Sequence, residues 1–210
     1  IERPVRAIYL DDERTFWVGT KGNGILKIYD YEFDKNISDC RAEVLTTSNS
    51  ALSSNAVYCF AKSHRNLLWI GDEEGLTYYS YREKRIKSIP IRIGNEDFKY
   101  IHDIYETADS ELWLASVGMG AVKARIAGTP DNPVIVDAQR YIINDGELGS
   151  NYFFTIYAEN EANLLFGNKG YGVFRYNETT NGLEPVSTHK YENMTLNNIL
   201  AISKDSSNNY

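Results

Sequence analysis

Apolar positions in this chain fall in short strand-like runs, separated by charged or glycine-rich turns, and the runs recur. FWVGTKGNGILKIYD (Phe16 to Asp30) has counterparts in LWIGDEEGLTYYSY (Leu68 to Tyr81), LWLASVGMGAVKAR (Leu112 to Arg125) and LLFGNKGYGVFRYN (Leu164 to Asn177). Each follows an apolar run at a fixed distance: Val5 to Trp17, Val57 to Trp69, Ile101 to Trp113 and Phe153 to Leu165 are all separated by 12 positions. Unrelated loops would not keep one spacing, so a repeat is the unit of the fold. The anchors Val5, Val57, Ile101, Phe153 and Ile199 stand 52, 44, 52 and 46 residues apart. That period belongs to propeller blades rather than to helical solenoids.

The pattern predicts an all-β propeller: four four-stranded antiparallel blades over about residues 4–47, 55–92, 99–143 and 151–190, with the first strand of a fifth over 196–210. Residues 1–210 read as a single domain, because the connectors TTSNSALSSN, GNEDFK and NDGELGS are polar but short. In the first repeat PVRAIYL is a strand, DDERT a charged turn, KGNG a tight reversal, ILKIYDYEF a third strand and RAEVLTT an outer fourth. Val5 and Ile8, three apart, are expected on opposite faces, which would cover both sides of that strand. AGTPDNPVIVD (Ala127 to Asp137) carries two prolines and reads as an edge loop. Trp17, Trp69 and Trp113 are expected between blades, with Gly19, Gly71 and Gly167 as companion anchors.

LNNILAISKDSSNNY opens a fifth repeat whose tryptophan would fall one position after Tyr210. The expectation is therefore a piece of a longer protein. A bare blade face of roughly 400 Å² forfeits on the order of 10 kcal/mol, so further blades or a second copy should cover it.

Composition changes this picture little. The chain has 210 residues, is 42% apolar and 24% charged, and carries 16 Tyr, which suit strands and ligand surfaces alike. A net charge of -7 without a basic stripe argues against a nucleic-acid partner. No apolar window is long enough to span a membrane. Cys40 and Cys59 show no metal-ligand spacing, and a disulfide between them stays open.

The repeats resemble the two-component regulator propeller repeat over essentially the whole chain. Its first half is best written by Asn197, Ile199, Ile202 and Asp205, and its second by FWVGTKGNGIL. Leu165 departs from the pattern's Trp, Ala115 from its Gly and Asp72 from its Thr, and the second repeat's turn is one residue shorter. Such repeats are similar to those in the periplasmic sensor region of bacterial hybrid two-component histidine kinases. The resemblance implies a fragment of a seven-bladed ring in a periplasmic ectodomain that senses a glycan fragment. Its partners would be the remaining blades and the kinase module of the same polypeptide, and a second copy in a homodimer. Ligand binding would favour one ectodomain arrangement and so feed a phosphorelay.

Candidate chemistry inside the chain is sparse. His64, His102 and His189 are scattered, and no metalloprotease, nucleophile-elbow or Cys/His motif occurs. The GNG, GMG and GYG triplets sit between strands and read as turns, and the carboxylates of DDE and DEE read as solvated turn residues. No catalytic residue, metal ligand or cofactor is therefore assigned. NDGELG lacks the oxygen spacing of a calcium loop, and the sequons at Asn36, Asn177 and Asn193 matter only in a eukaryotic secreted protein.

In an up-and-down blade the lead-in to strand one and the turn between strands two and three emerge on one face. That face would collect Asn55, Tyr58, Lys99, Tyr100, His102, Asn151 and Tyr152, where aromatic rings and amides suit a carbohydrate. For each residue the alternative is structural: Asn capping a turn, Tyr packing between blades, His102 hydrogen-bonded on its strand. A protein-interaction platform, or a lyase or hydrolase with its catalytic groups in further blades, are the rival functions.

Overall fold

Each repeat becomes one four-stranded antiparallel sheet in the computed structural model, which describes residues 3–32, 34, 36–144, 149–186 and 198–207. Sheet 1 contains β1 (Val5–Leu10), β2 (Phe16–Thr20), β3 (Ile25–Ile28) and β4 (Ala42–Leu45). Sheet 2 contains β5 (Val57–Lys62), β6 (Leu67–Asp72), β7 (Leu76–Ser80) and β8 (Arg85–Ser88), and is followed by a ribbon of β9 (Arg92–Ile93) and β10 (Glu96–Asp97). Sheet 3 contains β11 (Ile101–Glu106), β12 (Glu111–Ser116), β13 (Gly120–Thr129) and β14 (Asn132–Tyr141). Sheet 4 contains β15 (Phe153–Asn160), β16 (Asn163–Asn168), β17 (Gly172–Asn177) and β18 (Gly182–Pro185). Strands pair in chain order within every sheet. Beyond Asn198, which bridges to Lys169, the described residues of the fifth repeat form no strand.

The constant spacing has a physical origin in the register. Tyr9 pairs with Trp17, Ala61 with Trp69 and Tyr157 with Leu165. The first strands carry a bulge at the same place, between Val5 and Ala7, Val57 and Cys59, and Phe153 and Thr155. That bulge corrects the expectation for β1. Val5 opposes Thr20 and Ile8 opposes Val18, so the extra residue turns both onto one face, where they are 50% and 65% exposed. The prolines of Ala127 to Asp137 misled in a similar way. This stretch forms the outer ends of the long strands β13 and β14, and Pro133 sits in edge strand β14, where its missing N–H is tolerated.

The chain divides into two compact units, Ile1–Ile101 with Ala127–Ile135, and His102–Ile126 with Val136–Tyr210. In the first, Trp17 and Ile25 of sheet 1 pack against Val57, Leu68, Ile70 and Tyr79 of sheet 2. Asp131 joins this unit through an ion pair with Arg82. In the second, Trp113, Ala115 and Ala121 of sheet 3 pack against Phe153, Leu164, Phe166 and Phe174 of sheet 4. All three tryptophans are at most 1% exposed, as the repeat requires.

Glycine two residues after Trp17, Trp69 and Leu165 is needed for close approach. A Cβ on Gly19 would lie 2.9 Å from Val57 Cγ1, one on Gly71 2.7 Å from the Ile101 carbonyl, and one on Gly167 2.6 Å from the Ile199 carbonyl. The next anchor thus rests directly on the glycine backbone.

Buried charge closes the sheet 1 to sheet 2 interface. Asp11 accepts from Trp17 Nε1 at 2.8 Å, from the Thr15 amide at 2.7 Å and from the Tyr81 hydroxyl at 3.1 Å. Lys27, opposite Trp17 in register, places Nζ over the rings of Trp17, Tyr29 and Tyr79 and donates to the Tyr79 hydroxyl at 2.8 Å. Burial lowers the proton affinity of this amine, partly offset by Glu43.

Candidate ligand-binding face

The lead-ins to β5 and β15 each clamp the glycine turn of the preceding sheet. In the first unit the amides of Gly22 and Gly24 both donate to the Asn55 carbonyl at 2.9 Å; in the second, those of Gly118 and Gly120 donate to the Asn151 carbonyl at 2.9 and 3.0 Å. The side chains are engaged as well. Asn55 Oδ1 accepts from the Thr47 amide at 2.9 Å, and Asn151 Oδ1 accepts from the Ile143 amide at 2.7 Å while its Nδ2 donates back to the Ile143 carbonyl. These asparagines therefore tie an outer strand to the next inner one.

The seven residues placed on one face by sequence divide between the units. Asn55, Tyr58, Lys99 and Tyr100 belong to the first; His102, Asn151 and Tyr152 belong to the second. Tyr58 is the bulged residue of β5 and lies under the Arg6 guanidinium, 5.6 Å from its ring centre. Burial, then Glu73, pushes its phenol up. Tyr100 has φ 55°, donates its amide to the Glu73 carbonyl and is 41% exposed. In the second unit His102 meets Phe154 edge-on at 5.7 Å. Tyr152 is 41% exposed with Lys169 Nζ 5.1 Å from its ring centre.

Lys99 leads to a feature that the sequence reading passed over. GNEDFK is part of the ribbon β9–β10, turned at Gly94 with φ 62°. The signal was the Gly-Asn pair between IRI and EDF, a hairpin turn in miniature. With the Glu74–Gly75 turn and the Ser88–Ile91 segment, this ribbon encloses a cleft of about 440 Å³ within the first unit. Its floor is formed by Leu76, Ile89, Ile91 and Phe98, all buried. Two ion pairs stand on the rim, Lys99 Nζ to Glu74 Oε2 at 2.5 Å and Arg92 Nε to Asp97 Oδ1 at 2.9 Å. The Glu74 hydrogen bond raises the Lys99 proton affinity.

The expectation of solvated turn carboxylates fails for Asp11 and for Asp72, which lies fully buried behind the cleft wall and accepts from Ser53 Oγ at 2.6 Å and from the amides of Glu74 and Gly75 at 2.8 and 3.0 Å. Burial pushes its carboxyl up against the pull of these hydrogen bonds. Both cysteines are free thiols, so the open question of a disulfide closes in favour of none. Among the described residues no group of three or more His, Cys, Asp or Glu side chains gathers as a metal site. His189, Asn193 and most of NDGELG lie outside the described residues.

No protein-family model matches the chain, and no curated protein matches it by sequence. Solved structures do. The extracellular domain of BT4673 from B. thetaiotaomicron, assigned to the hybrid two component systems, superposes with a TM-score of 0.69 at 17% identity over 88% of this chain. That of BT3049 from the same organism, likewise assigned, gives 0.62 at 15% over 86%. The WD40 repeats of RRP9 give 0.60 at 9% over 88%. This chain spans 25%, 23% and 51% of those three chains. The likeness establishes an all-β fold of the propeller kind. Among the described residues no helix is long and apolar enough to cross a membrane.

Proposed function

We propose that this chain is part of the ligand-sensing region of a bacterial two-component sensor, outside the cytoplasm, where it binds a carbohydrate fragment and controls a histidine kinase in the same polypeptide. The observation that carries the reading is the likeness to two extracellular domains assigned to hybrid two component systems. The in-register repeats and the exposed Tyr100 and Tyr152 agree with it. The chain itself contributes recognition and no catalysis. Its place is the periplasm, as a segment of a seven-bladed ring that can pair with a second copy.

Sheet 1 supports further blades. The cross-strand row Ile8, Val18, Leu26 and Val44 matches Phe60 and Ile70 of sheet 2, which face Trp17. In sheet 1 the row leaves Ile8 65% and Val44 49% exposed, an apolar strip shaped for a tryptophan-bearing sheet. The same strip favours one second reading, a protein-interaction platform.

Calorimetric titration of the full-length protein with an oligosaccharide panel, alongside kinase autophosphorylation, tests the proposal. Saturable binding that changes phosphorylation without turnover supports the sensor. Cleavage of the glycan would make it an enzyme, and capture of a protein partner with no glycan binding would make it a platform.

A further inference from the structure

The cleft beneath the β9–β10 ribbon carries its rim charges as two matched pairs. We infer that it is the sugar-binding subsite of this chain and that it takes neutral, hydroxyl-rich sugar residues in preference to uronate- or sulfate-bearing ones; this rests on the sensor reading above. Four charged groups stand on its rim, and each cation is already matched: Lys99 with Glu74, and Arg92 with Asp97. An anionic sugar would meet, beside each cation, a carboxylate within 2.9 Å of it. Its attraction to one partner would be cancelled by repulsion from the other.

A hydroxyl meets the same pairs differently. It donates one hydrogen bond and accepts others, whereas a carboxylate only accepts and an ammonium or guanidinium only donates. Inserted at the edge of an ion pair, it satisfies both members, and hydrogen bonds to charged groups are the stronger kind. The remaining lining is mixed: Leu76, Ile89, Ile91 and Phe98 form an apolar floor at most 4% exposed, and Ser53 and Ser88 are polar. A volume of about 440 Å³ lies within the range of small-molecule sites.

The walls are held in place before any ligand arrives. Asp72 fixes the Glu74–Gly75 turn through two amides, the Phe98 amide donates to the Ile91 carbonyl at 2.9 Å, and the Ile89 amide donates to the Leu76 carbonyl at 3.1 Å. Pre-organisation reduces the entropy lost on binding. Within sheet 2 the cleft depends on the ribbon insertion, so it is a local elaboration of the blade and not a consequence of the repeat.

The test uses the full-length protein and a panel of neutral oligosaccharides from glucan, xylan and mannan, with uronate-bearing and sulfated counterparts. Binding is followed by calorimetry across about a tenfold range of salt, because only charge-driven affinity is screened. The expected result is saturable binding of a neutral member, little changed by salt and weakened at least about tenfold by Glu74→Gln or Lys99→Met. Lys62→Met, whose ion pair with Asp12 involves none of the residues lining the cleft, should bind as the parent does. Circular dichroism melts establish that each variant is folded, and the salt profile and panel selectivity of the unmodified protein need no variant. Equal binding by the cleft variants overturns the site while leaving the sensor reading intact. Salt-sensitive binding of anionic members alone overturns the sugar class. Binding of no sugar at all overturns both this inference and the carbohydrate reading beneath it.

Discussion

Gly71→Ala isolates the contact on which sheet succession depends. The added methyl would lie 2.5 Å from Cys59 Sγ, 2.7 Å from the Ile101 carbonyl and 2.8 Å from Ile101 Cγ2. Two of these atoms belong to the next first strand, and one is backbone, so no rotamer change relieves the overlap. Overpacking in a core costs about 1–3 kcal/mol, and three simultaneous contacts place this change near 3 kcal/mol. For a domain of this size that is a fall of about 6–12 °C in melting temperature. Guanidinium unfolding should show the same loss as a shift in midpoint at constant slope. Adding Cys59→Ala removes the sulfur but leaves the carbonyl, so the pair should couple by at least about 0.5 kcal/mol without full recovery. A Gly71→Ala protein melting within about 1 °C of the parent would refute the argument that the anchor rests on glycine backbone.

Trp17→Ala should cost about 3–5 kcal/mol in denaturant titration, since the ring fills the sheet 1 to sheet 2 core and its Nε1 hydrogen bond leaves Asp11 behind. Asp72→Asn should flatten the acid limb of stability. Burial raises the Asp72 carboxyl above its ordinary 3.8, so the folded chain holds that proton longer, and stability present below 3.8 is lost as pH rises through the raised value. Urea titrations between about pH 3 and 7 should show that fall in the parent and not in the variant. Lys27→Met should be neutral or stabilising near pH 7, because Glu43 is 45% exposed and stays hydrated without its partner. The lowered Lys27 proton affinity makes parent stability rise with pH toward 10.5, so the difference should shrink there; a loss above about 2 kcal/mol at pH 7 would contradict the reasoning.

Strand identity was legible because it is written in periodicity. Of the five anchors named from spacing, Val57, Ile101 and Phe153 are fully buried, whereas Val5 is 50% exposed and Ile199 is half-buried. The bulge was not legible. Tyr58 and Phe154 are aromatic but Arg6 is not, so no one side-chain type marks the bulged position, which is a property of backbone pairing. One silent residue was enough to reverse the expected facing of Val5 and Ile8. Pro133 misled because sequence does not say which edge of a strand is unpaired. At the candidate face, Asn55 and Asn151 were recognisable as turn residues, and their hydrogen bonds follow the structural alternative stated for them. The cleft was missed because its walls come from three separate places in the chain, Ser53, Glu74–Leu76 and Ser88–Lys99, whose convergence no local pattern records.

The repeat that governs packing is two sheets long. Trp17, Lys27, Gly24 and Asn55 recur at one constant offset as Trp113, Lys123, Gly120 and Asn151, in the same strand registers. Lys27 lies over Trp17 and Tyr79, and Lys123 lies over Trp113 and Tyr176. In sheet 2 the cross-strand partner of Trp69 is instead Tyr78, which meets it edge-on at 5.7 Å. A lysine thus appears where the following sheet brings a tyrosine to the tryptophan, so that both rings face one cation. The two copies differ around that cation. At the same offset Arg125 stands for Tyr29, which covers Lys27, and Thr107 stands for Asp11, which holds Trp17. In the second unit a cavity of about 180 Å³ opens beside Trp113, Lys123 and Tyr176, and Glu111 takes the ammonium at 2.9 Å. The lysine at this position is therefore retained under two degrees of solvation. That is expected if its attraction to the rings, rather than any one carboxylate, is what keeps it there.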